Sequence, residues 1–424
     1  MSEDFLHHLW KFKLFNQLDL VTTNNEPVEI IKAGDHNFDS GPDFFNARVK
    51  IGETLWAGNV EVHISGSDWN RHQHQHDKAY DNIILHVVYH ADKPMHRTSG
   101  EVIPTIEIRS RVDQKMYQNY LNFKSSSGWI PCEKNISAVP DLIIQNTIDR
   151  LLLDRLERKA VAIQNSLQLN SNNWEETFYQ ALARNFGFKT NAEPFELLAK
   201  SLPSLTVARQ RTSLLQIEAM LFGQAGFLNE HFEDEYPRQL QNEYVFLKQK
   251  YRLQPIENHL WKFLRLRPVN FPTIRLAQFA GLAFKSERLF SKIMDAETSN
   301  ELKDLLKVDV SAYWLTHYQF DKPSTKKSKH LGMEAIQNLI INTIVPFLFV
   351  WGKQKGEEFY IDRALQFLQE LDGEKNTLIK RWEELGLPVA KAYSTQALLQ
   401  LKTELCNNKK CLSCPAGNYL LKNS

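Results

Sequence analysis

The spacing of apolar residues along the chain changes near residue 141, and this change predicts two parts. Before it, short apolar runs alternate with polar residues and predict strands, whereas after it Leu and Ile recur every three or four residues and predict helices. The expected fold class is α+β. An N-terminal mixed α/β sheet domain over residues 1–125 precedes a large helical domain over residues 126–424, which carries a C-terminal cysteine cluster.

The predicted elements of the first part are an amphipathic N-terminal helix and a set of strands. The strands are expected at Val28–Ala33, Asp43–Ile51, Leu55–Ile64, Asn82–Tyr89 and Glu101–Arg109. Asn82–Tyr89 is apolar on both faces apart from His86, which predicts a central position in the sheet. The helices predicted in the second part include Trp174–Asn185, Pro194–Ser201, Val207–Phe222, Arg238–Lys250, Thr273–Phe284, Met333–Asn342 and Arg363–Glu370.

Composition and charge narrow the class of protein only slightly. With 51 Lys and Arg against 50 Asp and Glu, the near-neutral balance neither favours nor excludes a nucleic-acid partner.

The N-terminus has no basic start followed by an apolar run, so no export signal is predicted. The most apolar stretch, Leu339–Trp351, contains a Pro and is shorter than the roughly 20 residues that span a bilayer, so a buried core helix and no membrane partner are expected. Four Cys are too few for a disulfide framework, which predicts a cytoplasmic protein.

A predicted hairpin brings two acids and a histidine together. With a three-residue turn at Gly52–Thr54, Asp43 lies opposite His63 and Phe45 opposite Glu61, so that Asp43, Glu61 and His63 share one face. Two carboxylates this close repel each other unless a divalent cation such as Mg²⁺ or Mn²⁺ joins them, and that metal can activate water at a phosphate. The alternative is that Asp43 caps the turn and that the other two form a polar pair.

The hairpin motif resembles the signature of the PD-(D/E)XK phosphodiesterase superfamily, an Asp after Pro and then an acid-x-Lys on the next strand. The matching residues here are Pro42-Asp43 and Glu61-Val62-His63, with His63 in place of the Lys. The resemblance implies a nuclease-like N-terminal domain. Asp43 and Glu61 would hold the metal, His63 would orient water, and Glu3 would correspond to the helical acid of many members.

A second candidate site is the histidine run in residues 67–77. If the segment is extended, His72, His74 and His76 project to one side, and imidazole is a common ligand of Zn, Fe, Ni and Cu. With His63 and His86 nearby in the sheet, these side chains predict either a histidine metal site or a secondary group at the edge of the nuclease cleft. The alternative is a solvated polar loop.

The C-terminal cysteines predict a second metal site. Cys406, Cys411 and Cys414 follow a C-x4-C-x2-C spacing, and Cys132 is the remaining cysteine and the candidate fourth ligand. A structural Zn²⁺ site is the first expectation and an iron–sulfur cluster the alternative, as in certain iron–sulfur nucleases of the PD-(D/E)XK superfamily, which this cluster resembles. Free thiols are the third interpretation.

Basic residues in the helical part are candidates for contacts with phosphate. Arg267 and Arg275 flank the predicted start of a helix after Pro272, and Lys326 and Lys327 lie in a basic loop. Solvated loops or contacts between helices are the alternative.

Several blocks of sequence together identify the chain as similar to a bacterial family known as domain of unknown function 2851. They are GPDF, GNVEVH, SDW followed by HxH, YDNIILHVV, RPVNFPTIRLAQFA and CLSCPAGNYLL. The family name implies no activity, so the function is inferred from the residues. The leading hypothesis is a metal-dependent nuclease acting on DNA or RNA. The alternatives are a non-catalytic nucleic-acid-binding or assembly protein with a decayed site, and a histidine-metal enzyme centred on His72, His74 and His76.

Overall fold

The computed structural model describes residues 1–423, and the chain forms two compact units. One contains Met1–Thr147 together with the segment from Lys402 onward, and the other contains Ile148–Leu401. A mixed sheet near the N-terminus followed by helices confirms the α+β class. The sequence predicted a boundary at residue 125 and assigned the cysteine segment to the helical part. In the structure the boundary falls inside a long helix, and the cysteine segment belongs to the unit that contains the sheet.

The first unit is built on one sheet with flanking helices. Its strands are β1 (Val28–Lys32), β2 (Asp35–His36), β3 (Phe44–Ile51), β4 (Thr54–Ser65), β5 (Ile83–His90) and β6 (Thr105–Glu107). Its helices are α1 (Glu3–Lys11), α2 (Asp68–Arg71), α3 (Gln114–Ser125) and the start of α4 (Asp141–Leu169). The C-terminal helix, described below, also belongs to this unit.

The strand order explains why β5 is the most buried strand, because it lies between β4 and β6. The sheet runs β1-β3-β4-β5-β6, with β2 also paired to β3; β3 and β4 are antiparallel, whereas β4–β5 and β5–β6 are parallel. The central position predicted for β5 is confirmed, and its residues 83–88 are buried. Gly58 allows β5 to start close to β4, because a Cβ there would lie 2.7 Å from the carbonyl oxygen of Asn82.

The hairpin between β3 and β4 differs from the predicted register by two shifts of one residue each, which add up to two residues and so keep the predicted side chains on the same face. Ile51 pairs with Thr54, so the turn has two residues, and Gly52 adopts the positive φ of 58° that such a turn requires. A bulge then shifts the register between Phe44 and Ala47, where Asn46 has a φ of 56°. The predicted pairings of Asp43 with His63 and of Phe45 with Glu61 were therefore wrong, since Phe44 pairs with Val60.

The second unit is almost entirely helical. After α4 come α5 (Trp174–Phe186), α6 (Ala192–Ser201), α7 (Ser204–Ala208), α8 (Leu214–Gln224), α9 (Glu235–Tyr251), α10 (Pro272–Lys285), α11 (Leu289–Asp295), α12 (Ser299–Leu306), β7 (His317–Gln319), β8 (Lys322–Pro323), α13 (Met333–Leu339), α14 (Val345–Lys355), α15 (Glu358–Glu370), α16 (Thr377–Glu384) and α17 (Ala392–Gln400). The helix α18 (Pro415–Asn423) belongs to the first unit. The single helix predicted at Val207–Phe222 is two helices, because Ser213 caps α8 by accepting a hydrogen bond from the Gln216 N–H.

One helical segment of the second unit is long and apolar enough to cross a membrane. Met333–Lys355 runs through α13, a π-helical turn and α14 with a mean hydropathy of 1.5 over its most apolar window. Of that window, 78% is buried inside the protein, as in the core helix of a soluble protein. This agrees with the buried core helix predicted for Leu339–Trp351.

Glu218 on α8 is a carboxyl group buried in the second unit. Glu218 is only 1% exposed. The Tyr236 hydroxyl donates a hydrogen bond to Glu218 Oε2 at 2.7 Å, and Glu218 Oε1 has no hydrogen-bond partner among residues 1–423. Burial raises the pKa of Glu218 to about 7. The carboxyl group is therefore largely protonated in mildly acidic solution.

The raised pKa of Glu218 makes the stability of the protein depend on pH. Glu218 ionises near the ordinary pKa of 4.5 in the unfolded chain and only near 7 in the folded chain. Its contribution to stability is therefore fully present at low pH and is lost as the pH rises between these values. The difference corresponds to about 3 kcal/mol of unfolding free energy. Denaturant unfolding from about pH 4 to about pH 8 should show this loss in the native protein and not in Glu218→Gln. Equal pH slopes in the two proteins would contradict the assignment.

Candidate functional site

Two crossed hydrogen bonds position the acids of the hairpin. The backbone N–H of Asp43, just before β3, donates to Glu61 Oε2 at 3.1 Å, and the backbone N–H of Val62 donates to Asp43 Oδ2 at 2.9 Å. Glu61 is 4% exposed and Asp43 is partly exposed. The predicted convergence of Asp43 with Glu61 is therefore present, through the bulged register described above rather than through the predicted one.

His63 lies at the centre of a group of imidazole rings. Its Nδ1 is 2.9 Å from Nε2 of His86 on the adjacent strand β5, and its Nε2 is 3.1 Å from Nδ1 of His72. His74 Nε2 lies 3.3 Å from Glu61 Oε1, and His63 Nε2 lies 3.5 Å from the same oxygen. One ligand atom each from His63, His72 and His74 lies within 4.8 Å of the other two. We call these three residues the histidine triad.

The loop that carries two members of the triad is folded differently from the prediction. It forms α2 and then a 3-10 turn at His74–His76, and is not extended; Gln73 between them has a φ of 63°. This left-handed residue reverses the chain, so that His72 and His74 both face His63. His76 is exposed and lies outside the triad.

Aromatic packing fixes the position of His74. Its ring stacks on Tyr80 with centroids 3.8 Å apart and meets the edge of Trp69 at 5.3 Å. Trp69 and Tyr80 belong to a buried apolar cluster that also contains Ile83, Met95 and Ile103. The loop is therefore anchored in the core of the first unit, although His72 itself is exposed.

Burial keeps the inner imidazoles neutral. Burial, together with the neighbouring histidines, lowers the pKa of His63 to about 2, and burial lowers the pKa of His86 to about 3. A histidine with so low a pKa cannot supply the positive charge that a Lys would supply at this position. Burial also raises the pKa of Glu61, although a hydrogen bond from His74 opposes this shift.

The side chain of α1 that reaches the site is His7, one helical turn after Glu3. His7 Nε2 lies 3.2 Å from Asp43 Oδ2. Burial alone would lower the pKa of His7, but Asp43 and the charges of Glu3 and Asp4 outweigh it and leave this pKa raised. His7 was not predicted from the sequence, although Glu3 and His7 are four residues apart and therefore share a helix face.

The arrangement has the donors that a transition-metal ion requires. Three imidazoles face one another beside a buried carboxylate, and at most one proton can be shared between each pair of facing nitrogens. A cation bound between them would relieve the repulsion of the remaining lone pairs. His86 could accept a hydrogen bond from Nδ1 of His63, which is how second ligand shells orient metal-bound histidines.

The four cysteines also come together within the first unit. Cys132 follows α3, Cys406 ends a π-helical turn, and Cys411 and Cys414 border a 3-10 turn before α18. None forms a disulfide, and Cys411 and Cys414 are buried. Burial raises the pKa of Cys132 and of Cys411 to about 12, and the proximity of the other thiols adds to this shift.

The predicted phosphate contacts lie in the second unit. Arg275 is only 8% exposed, donates to Gln278 and Asn270 at 2.9 and 2.6 Å, and borders a cavity of about 430 Å³. Arg267, Lys326 and Lys327 are exposed. All four residues belong to the second unit, whereas the histidine triad belongs to the first.

Metal binding by the histidine triad can be tested with two variants of the same loop. His72→Ala should weaken binding of Zn²⁺ or Mn²⁺ by roughly tenfold or more, because it removes an exposed ligand without disturbing the core. His76→Ala is the matched control and should bind like the native protein. Calorimetric titration of the metal-free proteins measures both affinities. Equal affinities in all three proteins would exclude the triad as the metal site.

A family model described as "Protein of unknown function (DUF2851)" matches residues 3–377, which is most of the chain. The match includes Asp43, Glu61 and the histidine triad and ends before Cys406. No curated protein and no solved structure matches the chain. The resemblance to the PD-(D/E)XK superfamily therefore stays a prediction. The length of the family match establishes that the chain belongs to the family of unknown function DUF2851.

Proposed function

We propose that the protein is a metal-dependent hydrolase that cleaves phosphodiester bonds in DNA or RNA, with the metal held by the histidine triad. The observation that carries the proposal is the presence of three imidazole ligand atoms within 4.8 Å of one another beside the buried carboxylate of Glu61. A set of three protein ligands, with the fourth position left to water or substrate, is typical of catalytic rather than structural zinc sites. The choice of phosphodiesters comes from the Pro42-Asp43 and Glu61-Val62-His63 motif.

The ligand set favours a transition metal over Mg²⁺. Imidazole suits Zn²⁺ and Fe²⁺, carboxylate oxygen suits Mn²⁺, and Mg²⁺ demands a nearly complete shell of oxygen ligands. Of the two metals expected from the sequence, Mn²⁺ fits this site better than Mg²⁺. When bound, the ion would activate a water molecule and stabilise charge on a phosphate oxygen.

The two acids would take different roles. Glu61 is buried, its pKa is raised, and its Oε1 is within 3.5 Å of two members of the triad, so it is suited to accept a proton from a water molecule there. Asp43 is held by the Val62 N–H and lies at the more exposed edge of the group. Asp43 would orient the substrate or complete the metal shell.

His7 would supply the positive charge that His63 cannot. Its pKa is raised beside Asp43, its side chain is 17% exposed, and it projects from α1 to the rim of the site. In the PD-(D/E)XK pattern this charge comes from a Lys at the position of His63. A protonated His7 on the neighbouring helix would attract the phosphate backbone from the other side of Asp43.

A cleavage assay with matched aspartate variants tests the hydrolase proposal. Labelled single- and double-stranded DNA and RNA would be incubated with the native protein and Mn²⁺ or Zn²⁺. We expect cleavage of at least one substrate, reduced by about 100-fold or more in Asp43→Ala. That variant removes the carboxylate beside His7, whereas the backbone N–H of residue 43 still holds Glu61 in place. Asp39→Ala removes an exposed acid from the preceding loop and should cleave like the native protein.

The outcome that contradicts the proposal is equally specific. If the native protein binds metal and the labelled strands but cleaves none of them, the non-catalytic binding or assembly role becomes the better interpretation. Cleavage that survives in Asp43→Ala would place the active site elsewhere in the chain. Loss of cleavage in both aspartate variants would indicate a general effect on the loop.

The role of His7 can be separated from that of the metal. His7→Gln should raise the KM for a cleaved nucleic acid by roughly fivefold with a smaller change in kcat, because a positive charge that attracts the substrate is lost. The salt dependence of KM should also become weaker. His96→Gln, which changes an exposed histidine of the same unit, is the control. An unchanged KM in His7→Gln would rule out this role.

A further inference from the structure

We propose that Cys132, Cys406, Cys411 and Cys414 bind one metal centre through four thiolates, either a zinc ion or an iron–sulfur cluster, and that this centre ties the C-terminal segment to the loop after α3. The proposal is independent of the activity of the histidine triad. It starts from the meeting of the two chain segments that carry the four cysteines, because Lys402 at the start of the C-terminal segment contacts Trp129 although 273 residues separate them.

Both sides of the cluster are fixed by contacts that do not involve sulfur. The loop before Cys132 is closed by Glu133, whose Oε2 accepts a hydrogen bond from the Trp129 N–H at 2.8 Å. Lys402 Nζ donates to the Trp129 carbonyl at 2.9 Å, and Lys409 Nζ donates to the Lys124 carbonyl at 2.6 Å. The two chain segments that carry the cysteines therefore meet through contacts that need no metal.

The turn that holds Cys411 and Cys414 is tightly packed against the start of α18. A Cβ at Gly417 would lie 2.5 Å from the carbonyl oxygen of Cys411, so only glycine fits there. The backbone N–H of Cys414 donates to the Cys411 carbonyl, and the N–H of Asn418 donates to the Cys414 carbonyl. A C-x2-C pair in such a turn can place both sulfurs on one ion without backbone strain.

The chemistry of the cluster favours a metal over free thiols. Four thiols complete the ligand shell of either a zinc ion or an iron–sulfur cluster, and no disulfide competes for them. Metal binding would displace four protons to solvent, one from each thiol that becomes a ligand. The C-x4-C-x2-C spacing is also that of three iron ligands in plant-type ferredoxins, in which the fourth cysteine follows the three, whereas Cys132 precedes them here. The short C-x2-C element is common to zinc sites.

The first experiment measures metal in the native full-length protein. Protein purified without added metal and without oxygen would be analysed for zinc, iron and acid-labile sulfide and for visible absorption. Zinc without sulfide identifies the zinc form, and iron with sulfide and visible absorption identifies the cluster. Because the histidine triad can also hold zinc, the same analysis is made on His72→Ala, which should keep the metal of the cysteine site.

Variants then assign the metal to the cysteines. Cys411→Ser should lower the metal content of this centre by about tenfold or more, while Ser413→Ala, an exposed change in the same turn, should leave it unchanged. If Cys411→Ser does not fold, thiol alkylation of the native protein tests whether the cysteines bind the metal. All four cysteines should be protected together and become reactive together after a chelator, or an oxidant that destroys the cluster, has removed the metal.

Two results would overturn the proposal. One is a native protein and a His72→Ala variant that contain neither zinc nor iron bound at the cysteines. The other is cysteine reactivity that is the same before and after metal removal, since buried free thiols would behave in this way. Neither result would bear on cleavage by the histidine triad, so the two proposals fail separately.

Discussion

The exchange of hydrogen bonds between the start of β3 and the middle of β4 is the constraint on which the candidate site depends. Each of the two carboxylates is held by a backbone N–H of the other's strand or its extension. Hydrogen bonds to charged groups contribute about 1.5–3 kcal/mol each, enough to keep two acids together in a partly buried setting. His63 is the next residue of β4 on the same face as Glu61. With Glu61 fixed in this way, the imidazole of His63 lies among those of His72, His74 and His86.

The sequence predicted which residues of the hairpin meet, but not how they meet. Alternation along a strand is sufficient to put Glu61 and His63 on one face. The place of Asp43 depends on a two-residue turn and on a bulge at Asn46, and each shifts the register by one residue. Asn is one of the residues that tolerate a left-handed backbone, yet nothing in the local pattern indicates that this Asn adopts it. The extended form expected for the histidine loop was wrong for a similar reason, the left-handed Gln73.

The other differences come from contacts between residues far apart in sequence. The period of α1 identifies a face that includes Glu3 and His7, but only the packing of α1 on β4 brings His7 to Asp43. The pairing of Cys132 with three cysteines near the C-terminus was proposed from their number alone, and their meeting in the first unit depends on how the last helix packs. Local propensity describes elements well, whereas sites are made where distant elements meet.

The division of the first unit into two sequence segments affects how the protein is made. A ribosome completes α3 and the sheet well before it reaches α18, because the whole second unit is encoded between them. Synthesis proceeds at about 5–20 residues per second, so for many seconds the nascent chain lacks the helix that packs against α3. During that time α3, which carries the buried side chains of Met116 and Phe123, lacks one of the helices that pack against it. A chain cut short by premature termination would keep that apolar surface uncovered and would become a substrate for chaperones or proteases.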